Sequence, residues 1–96
     1  TIRGYVMYID YFGNAITNIH KEEFLKYKYS QVKIQYRRKE HITALVHHYH
    51  MVGEGESLAR FNETGYMEIA IRGDSAASIL GLKPNDIIMV EFFEGL

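Results

Sequence analysis

Apolar runs in this chain are short, and turn-forming residues interrupt each of them. Residues 5–9 are apolar almost throughout, with two Tyr, a Val and an Ile, and an apolar pattern resumes with two Ile in residues 15–19 after a cluster of Asp, Gly and Asn. Residues 31–36 alternate polar and apolar side chains with the period of two that a half-buried strand requires. Eight Tyr and five Phe add to the strand preference. Short strands at this spacing are typical of a small barrel or sandwich.

The full pattern predicts an all-β domain with two short helices. We expect six or seven strands in a small closed or nearly closed β-barrel, with residues 1–96 forming a single domain. A basic turn at 37–40 joins the strand at 31–36 to a hairpin partner at 42–46, and the remaining strands are expected at 58–61, 66–71 and 87–93.

Two segments have helical signals. Residues 20–27 mix acidic and apolar side chains over about two turns, with Asn18 as a candidate N-cap. Residues 74–81 begin with Asp74 as a candidate N-cap, continue through an Ala-rich interior and end at Gly81, which suits a left-handed helix terminus.

Composition excludes several function classes. The formal net charge is −1, so no positive field is available to hold nucleic acid or an anionic membrane. The chain has no Cys, which excludes disulfides, thiolate zinc sites and a Cys nucleophile. Its apolar runs are far shorter than the roughly 20 residues of a membrane-spanning helix. The start at Thr1, directly in a strand-like segment, suggests a piece of a longer protein.

Catalytic and metal-binding patterns are weak. His48 and His50 would share a strand face and could bind zinc with a third ligand, yet no acidic residue stands at an obvious ligand spacing. We therefore expect no metal site. No Gly-x-Ser-x-Gly occurs, and Glu54 and Glu56 lie in a Gly-rich loop where solvation keeps a carboxylate ordinary.

Three residues beside turns are better suited to ligand contact: Phe12, Asn14 and Tyr49. A carboxamide offers a donor and an acceptor together, which complements the edge of adenine. Aromatic rings stack on a purine for about 1–3 kcal/mol each. The alternative is that Phe12 and Tyr49 are ordinary core aromatics.

Residues 4–19, GYVMYIDYFGNAITNI, bring a family resemblance. They resemble the signature G-x-V-x-x-I-D-x-F-G-N-x-x-T-N-I of the C-terminal domain of S-adenosylmethionine hydrolases (adenosine-forming), a family that includes chlorinase and fluorinase enzymes. Residues 49–56 and 62–82 resemble two further segments of that domain in order and spacing.

The resemblance implies the C-terminal β-barrel of a larger two-domain enzyme. The barrel covers the nucleoside, and the N-terminal domain of the same or a neighbouring subunit, within a homotrimer, supplies catalysis: S-adenosylmethionine and water give adenosine and methionine. The fragment alone is expected to be inactive. We expect a cytoplasmic protein with no cofactor beyond its substrate and no nucleic-acid or membrane partner.

The resemblance also implies roles for particular residues. Phe12 and Asn14 match the Phe-Gly-Asn contact to adenine, and Tyr49 matches the stacking position. Five more matched positions are expected to bind substrate, the first two at its methionine end: Glu63, Thr64, Arg72, Gly73 and Asp74. The alternative function is a stand-alone β-barrel module for oligomerisation or interaction that binds no nucleoside.

Overall fold

The computed structural model describes residues 1–94 and confirms the all-β class with two short helices. In chain order the elements are β1 (Ile2–Ile9), β2 (Ala15–His20), α1 (Lys21–Phe24), β3 (Gln31–Gln35), β4 (His41–Ile42), β5 (Ser57–Phe61), β6 (Tyr66–Ile71), α2 (Ala76–Leu80) and β7 (Ile87–Phe93). A single 3-10 turn, Tyr49–Met51, lies between β4 and β5.

The seven strands form one sheet in the order β4-β3-β7-β1-β2-β6-β5, with antiparallel neighbours throughout. The sheet curls until its two edges approach each other. The Ala59 N–H donates to the Ala44 carbonyl at 2.8 Å, and the Val46 N–H donates to the Ala59 carbonyl at 2.9 Å. These bonds make a parallel bridge from Leu45 to Ala59 and nearly close the barrel.

Closure also explains why the predicted strand at 42–46 is wrong beyond its first residue. Only His41 and Ile42 pair with β3. The backbone of residues 44–46 instead turns its hydrogen-bonding groups toward β5, the opposite edge of the sheet.

The barrel interior is filled by alternate residues of the strands, as period-two alternation requires. Its fully buried side chains are mostly aliphatic and include Val6, Ile34, Ile69, Ile88 and Val90. An aromatic group made of Phe24, Tyr27, Phe61 and Phe92 packs against this cluster.

Helix α1 is shorter than predicted, and its N-cap is His20 rather than Asn18. The His20 Nδ1 accepts from the Glu22 N–H at 3.2 Å, and the Glu23 carboxylate accepts from the His20 N–H at 3.0 Å. Asn18 lies inside β2. Its side-chain oxygen accepts from the Tyr5 N–H of the neighbouring strand at 2.8 Å, so it is not available to cap a helix.

Helix α2 ends at Gly81 in the left-handed conformation, as predicted, but its N-cap is Ser75 rather than Asp74. The Ser75 Oγ accepts from the Ser78 N–H at 3.2 Å. The tight turn between β6 and α2, with Gly73 at φ 81°, holds Asp74 in an isolated bridge to Ile71 and delays the helix by one residue.

Candidate ligand-binding site

An open pocket of about 550 Å³ lies where the β1–β2 loop meets the start of α2. It brings together five of the eight sequence-predicted site residues with two neighbours, and its lining is Phe12, Asn14, Tyr49, Ile71, Gly73, Asp74 and Ser75. The ring of Phe12 is 72% exposed, whereas Asn14 is 7% exposed. One pocket therefore combines a buried carboxamide with two accessible aromatic rings.

Asp10 holds the loop that carries Phe12 and Asn14. One of its carboxylate oxygens accepts from the backbone N–H groups of Phe12 and Asn14, both at 2.9 Å. The other accepts from the side-chain Nδ2 of Asn14 at 3.1 Å. Asp10 thereby fixes which way the Asn14 amide points, and it leaves the carbonyl oxygen and one N–H of that amide for other partners.

Gly13 allows this loop to lie directly against α2. A Cβ built on Gly13 would come within 2.1 Å of the Ser75 Oγ, and the backbone is in the positive-φ region at 85°. The Gly13 carbonyl also accepts from the Ala77 N–H in the first turn of α2 at 2.9 Å. Only glycine fits both the conformation and the spacing.

Tyr49, in the 3-10 turn, is held from behind by two charged side chains. Its hydroxyl lies 3.0 Å from both carboxylate oxygens of Glu68, to which it donates. Arg60 donates to Glu68 at 2.6 Å, and its guanidinium lies 5.0 Å from the centre of the Tyr49 ring. A cation at this distance from an aromatic ring is attractive.

Two arginines tie the backbone around Tyr49 to the sheet. Arg60 donates through Nε to the His47 carbonyl at 3.1 Å, and Arg72 donates to the Val52 carbonyl at 2.7 Å. The side chain of Arg72 is absent from the pocket lining. This side chain bonds the backbone of the Tyr49 segment, and the assignment of Arg72 to substrate binding stays a prediction.

Burial, followed by the charge of Glu68 and the hydrogen bond to it, raises the pKa of the Tyr49 phenol above its usual 10.0. The neutral phenol is the form that donates to Glu68, and the raised pKa extends the pH range over which this donor is present to more alkaline values.

Glu63 and Thr64 lie outside the pocket lining, in the turn between β5 and β6. This turn is at the opposite end of β6 from Gly73, and five residue steps of a strand span about 17 Å. The Thr64 carbonyl instead contacts the His20 ring at 3.2 Å. Their assignment to the methionine end of the substrate stays a prediction.

The expectation that His48 and His50 share a strand face is wrong, because residues 49–51 form the 3-10 turn. The two imidazoles stack in parallel with centroids 5.3 Å apart. Within residues 1–94 no group of three or more His, Asp or Glu side chains is arranged to hold a metal ion.

A second cavity of about 550 Å³ lies at the barrel seam and contains none of the predicted site residues. Its lining is Tyr29, Ser30, Gln31, Val32, Thr43, Leu45, Val46, His47 and Phe61.

Sequence reasoning missed Glu68 and Arg60. A partial signal was available: the two residues carry opposite charges on the two predicted strands that the 62–65 turn joins, and the hairpin register pairs them directly. Glu68 also interrupts the otherwise apolar run of β6.

Comparison with protein families shows which family this domain belongs to. The model of the SAM hydroxide adenosyltransferase C-terminal domain matches residues 4–89. The chain belongs to this family. As a SAM hydroxide adenosyltransferase C-terminal domain, it has every residue of the pocket lining within the matched range.

Two solved structures share the fold of this domain. The domain is similar to an uncharacterized conserved protein from Thermotoga maritima, with 30% identity and a TM-score of 0.79 over 93% of this chain and 35% of that one. It is also similar to a conserved hypothetical protein from Thermus thermophilus, with 26% identity and a TM-score of 0.75 over 93% of this chain and 34% of that one. The domain thus spans about one third of the length of either protein. No curated protein matches it.

Across residues 1–94, no helix of this SAM hydroxide adenosyltransferase C-terminal domain is long and apolar enough to cross a membrane.

Proposed function

We propose that this domain forms the adenine-facing wall of the substrate site in an enzyme that converts S-adenosylmethionine and water into adenosine and methionine. The observation that carries the proposal is the convergence of Phe12, Asn14 and Tyr49 on one pocket. The ring faces provide stacking surfaces, and the oriented Asn14 amide provides a donor and an acceptor for the edge of the base.

In the proposed reaction, the oxygen of water forms a bond to the 5′ carbon of the ribose as the bond from that carbon to sulfur breaks. The electron pair of the broken bond goes to sulfur, which becomes the neutral thioether of methionine, and the proton of the attacking water is lost to a base. Because a sulfonium is already a good leaving group, positioning contributes much of the catalysis. The residues described here hold the adenine in place and supply no nucleophile.

The second wall is proposed to come from an N-terminal domain of the same or a neighbouring subunit in a homotrimer. Phe12 is 72% exposed and Tyr11 96% exposed, with their rings in edge contact at 5.5 Å. Exposed aromatic pairs of this kind are favourable contact surfaces for a partner. With one wall alone, we expect an affinity for adenosine of about 1 mM or weaker.

The proposal is tested by titrating isotope-labelled chain with adenosine and following amide resonances by NMR. We expect the largest shifts at Gly73, Asp74 and the Asn14 side chain, and a weaker titration for Asn14→Ala. Asn62→Ala is the matched control, because Asn62 organises the distant 62–65 turn through hydrogen bonds to Thr64.

Unchanged pocket resonances at saturating adenosine would contradict the proposal and favour the stand-alone interaction module. A separate assay measures adenosine release from S-adenosylmethionine. The chain by itself is expected to show none, and substantial turnover would contradict the assignment of catalysis to another domain.

A further inference from the structure

Glu68 is an unusual residue for its position. The residue is 3% exposed, and it is the one charged residue buried within the described range 1–94. Burial of a charge is unfavourable unless hydrogen-bonded partners compensate for it. Its neighbours Met67 and Ile69 point into the barrel core, so strand alternation places Glu68 on the outer face of the sheet.

The outer face at Glu68 is covered by the segment 47–52, which carries Tyr49. Arg60 pairs with Glu68 across the β5–β6 ladder and forms the one ion pair of the described residues. Neither charge reaches the pocket lining. Both instead meet at Tyr49: Glu68 accepts from its hydroxyl, and Arg60 lies over its ring.

We propose that Glu68 and Arg60 are positioning residues whose role is to fix the Tyr49 ring at the edge of the nucleoside pocket. This inference rests on the proposed function for its ligand. Because the single hydroxyl proton of Tyr49 is donated to Glu68, Tyr49 presents its ring, rather than a hydrogen-bond donor, to the ligand.

The first test measures the mobility of the Tyr49 ring without any ligand. Carbon-13 relaxation of labelled tyrosine rings is compared between the wild-type chain and Glu68→Gln, with the Tyr49 signal identified by its loss in Tyr49→Phe. We expect the Tyr49 ring to become more mobile in Glu68→Gln, while the ring of Tyr66, packed edge-on against His20 at 5.1 Å, keeps its wild-type order. A Tyr49 ring as ordered as in the wild type would overturn the inference.

Arg60→Lys is the second variant and serves if Glu68→Gln does not fold. Lysine retains the charge that pairs with Glu68 but lacks the planar fork that reaches the His47 carbonyl and covers the ring at the same time. We expect the same selective gain in Tyr49 mobility, and its absence would count against the inference.

The second test measures adenosine affinity. Tyr49→Phe and Glu68→Gln are each expected to weaken binding about fivefold, and the double variant about as much as either single one, because both substitutions cut the same tether. Additive losses of affinity would show that the two substitutions do not act through the same Tyr49–Glu68 hydrogen bond.

Thr17→Val is the matched structural control. The Thr17 hydroxyl, fully buried, donates to the Met67 carbonyl beside Glu68 at 2.8 Å. We expect a lower melting temperature with unchanged adenosine affinity and unchanged Tyr49 order. If the wild-type chain fails to bind adenosine, the proposed function fails while the relaxation experiment still decides the positioning inference.

Discussion

At the scale of single residues, the polar groups of the pocket are already partly engaged by the protein. Asp10 accepts a hydrogen bond from one N–H of the Asn14 amide, and Glu68 accepts one from the Tyr49 hydroxyl. A side chain held in this way loses little conformational freedom when a ligand arrives, and it presents one fixed pattern of donors and acceptors. Under the proposed function, selectivity for the nucleobase therefore depends on residues that need not touch it.

Adenosine should bind more tightly than inosine. The two bases present reversed donor and acceptor patterns on their pairing edges, and the bond to Asp10 prevents the Asn14 amide from flipping to suit both. We expect about a tenfold preference for adenosine, measured by NMR titration of each nucleoside.

Asp10→Ala provides the comparison, because it removes the bond that orients the amide. The preference should shrink toward equal affinities in this variant, and it should disappear in Asn14→Ala. Equal affinities for the two nucleosides in the wild type would exclude a role for Asn14 in reading the base.

The contribution of Tyr49 to stability should depend on pH at the alkaline end. The folded-state pKa of its phenol lies above the unfolded value of 10.0 because of burial and the nearby Glu68 charge. The contribution is thus fully present below about pH 10 and is lost as the pH rises through the folded pKa. The difference in unfolding free energy between wild type and Tyr49→Phe should be constant from pH 7 to about pH 9 and shrink at higher pH. A difference in unfolding free energy that is independent of pH over the whole range would contradict a stabilising hydrogen bond from Tyr49 to Glu68.

At the scale of elements, the pocket depends on the contact between the β1–β2 loop and the start of α2. The loop fits there because Gly13 lacks a Cβ, and the Gly13 carbonyl is bonded to the Ala77 N–H. Helix α2 has only five residues, so this contact also helps to fix its first turn.

Gly13→Ala should destabilise the domain and disrupt the pocket together. We expect a loss of unfolding free energy of about 1–2 kcal/mol from positive φ, with a further loss from the clash with Ser75. Denaturant unfolding measures the loss of stability, and adenosine titration measures the disruption of the pocket.

Gly55→Ala separates the two contributions. Gly55 has nearly the same φ, 81°, but nothing lies within 4 Å of a Cβ built there. It should show the conformational cost alone and leave adenosine binding unchanged. Equal losses for the two variants would mean that the contact with Ser75 is unimportant.

The same elements indicate how far sequence reasoning reaches. Alternation predicted β3 within one residue, and the mostly apolar run at 87–93 predicted β7 at its observed bounds, because both are local properties of the chain. The helix caps at Asn18 and Asp74 were predicted wrongly because both side chains have other partners: Asn18 bonds to Tyr5 across the sheet, and Asp74 accepts from the Ser75 N–H in a turn.

For the site, residue chemistry beside turns pointed to Phe12, Asn14 and Tyr49, the family resemblance favoured a binding role over a core role, and the fold brings the three to one pocket. The supporting contacts could not be obtained in the same way. The bond from Tyr49 to Glu68 joins residues 19 positions apart, and Tyr49 lies in the connection 43–56, which has no named helix or strand apart from the 3-10 turn. No periodic pattern predicts where such a segment crosses a sheet.

At the scale of the whole molecule, the barrel is closed by a few backbone bonds between residues 44–46 and β5. The two-residue β4 cannot span the gap between β3 and β5 on its own. The continuity of the sheet therefore depends on a segment outside the named strands.

Val46→Pro should open this seam. Proline removes the N–H that donates to the Ala59 carbonyl, and we expect a loss of about 1–3 kcal/mol in unfolding free energy together with concentration-dependent self-association through the freed edge of β5. Equilibrium unfolding and sedimentation velocity measure the two effects.

Val46→Ala keeps the N–H and removes only two methyl groups. It should remain at the association state of the wild type with a smaller loss of stability. Self-association of both variants to the same extent would show that the lost side chain, rather than the closing hydrogen bond, is responsible.

The path of the chain after closure has a consequence for how the length of such domains can vary. Between Val46, bonded to β5, and Val52, bonded to Arg72, only five residues are available to cross the sheet and bring Tyr49 to Glu68. An insertion there would carry the ring away from its anchor, whereas the exposed turn at 37–40 has no comparable anchor in the pocket wall. Among relatives we therefore expect insertions and deletions to accumulate in the basic turn at 37–40, while the segment that corresponds to residues 47–51 keeps a constant number of residues.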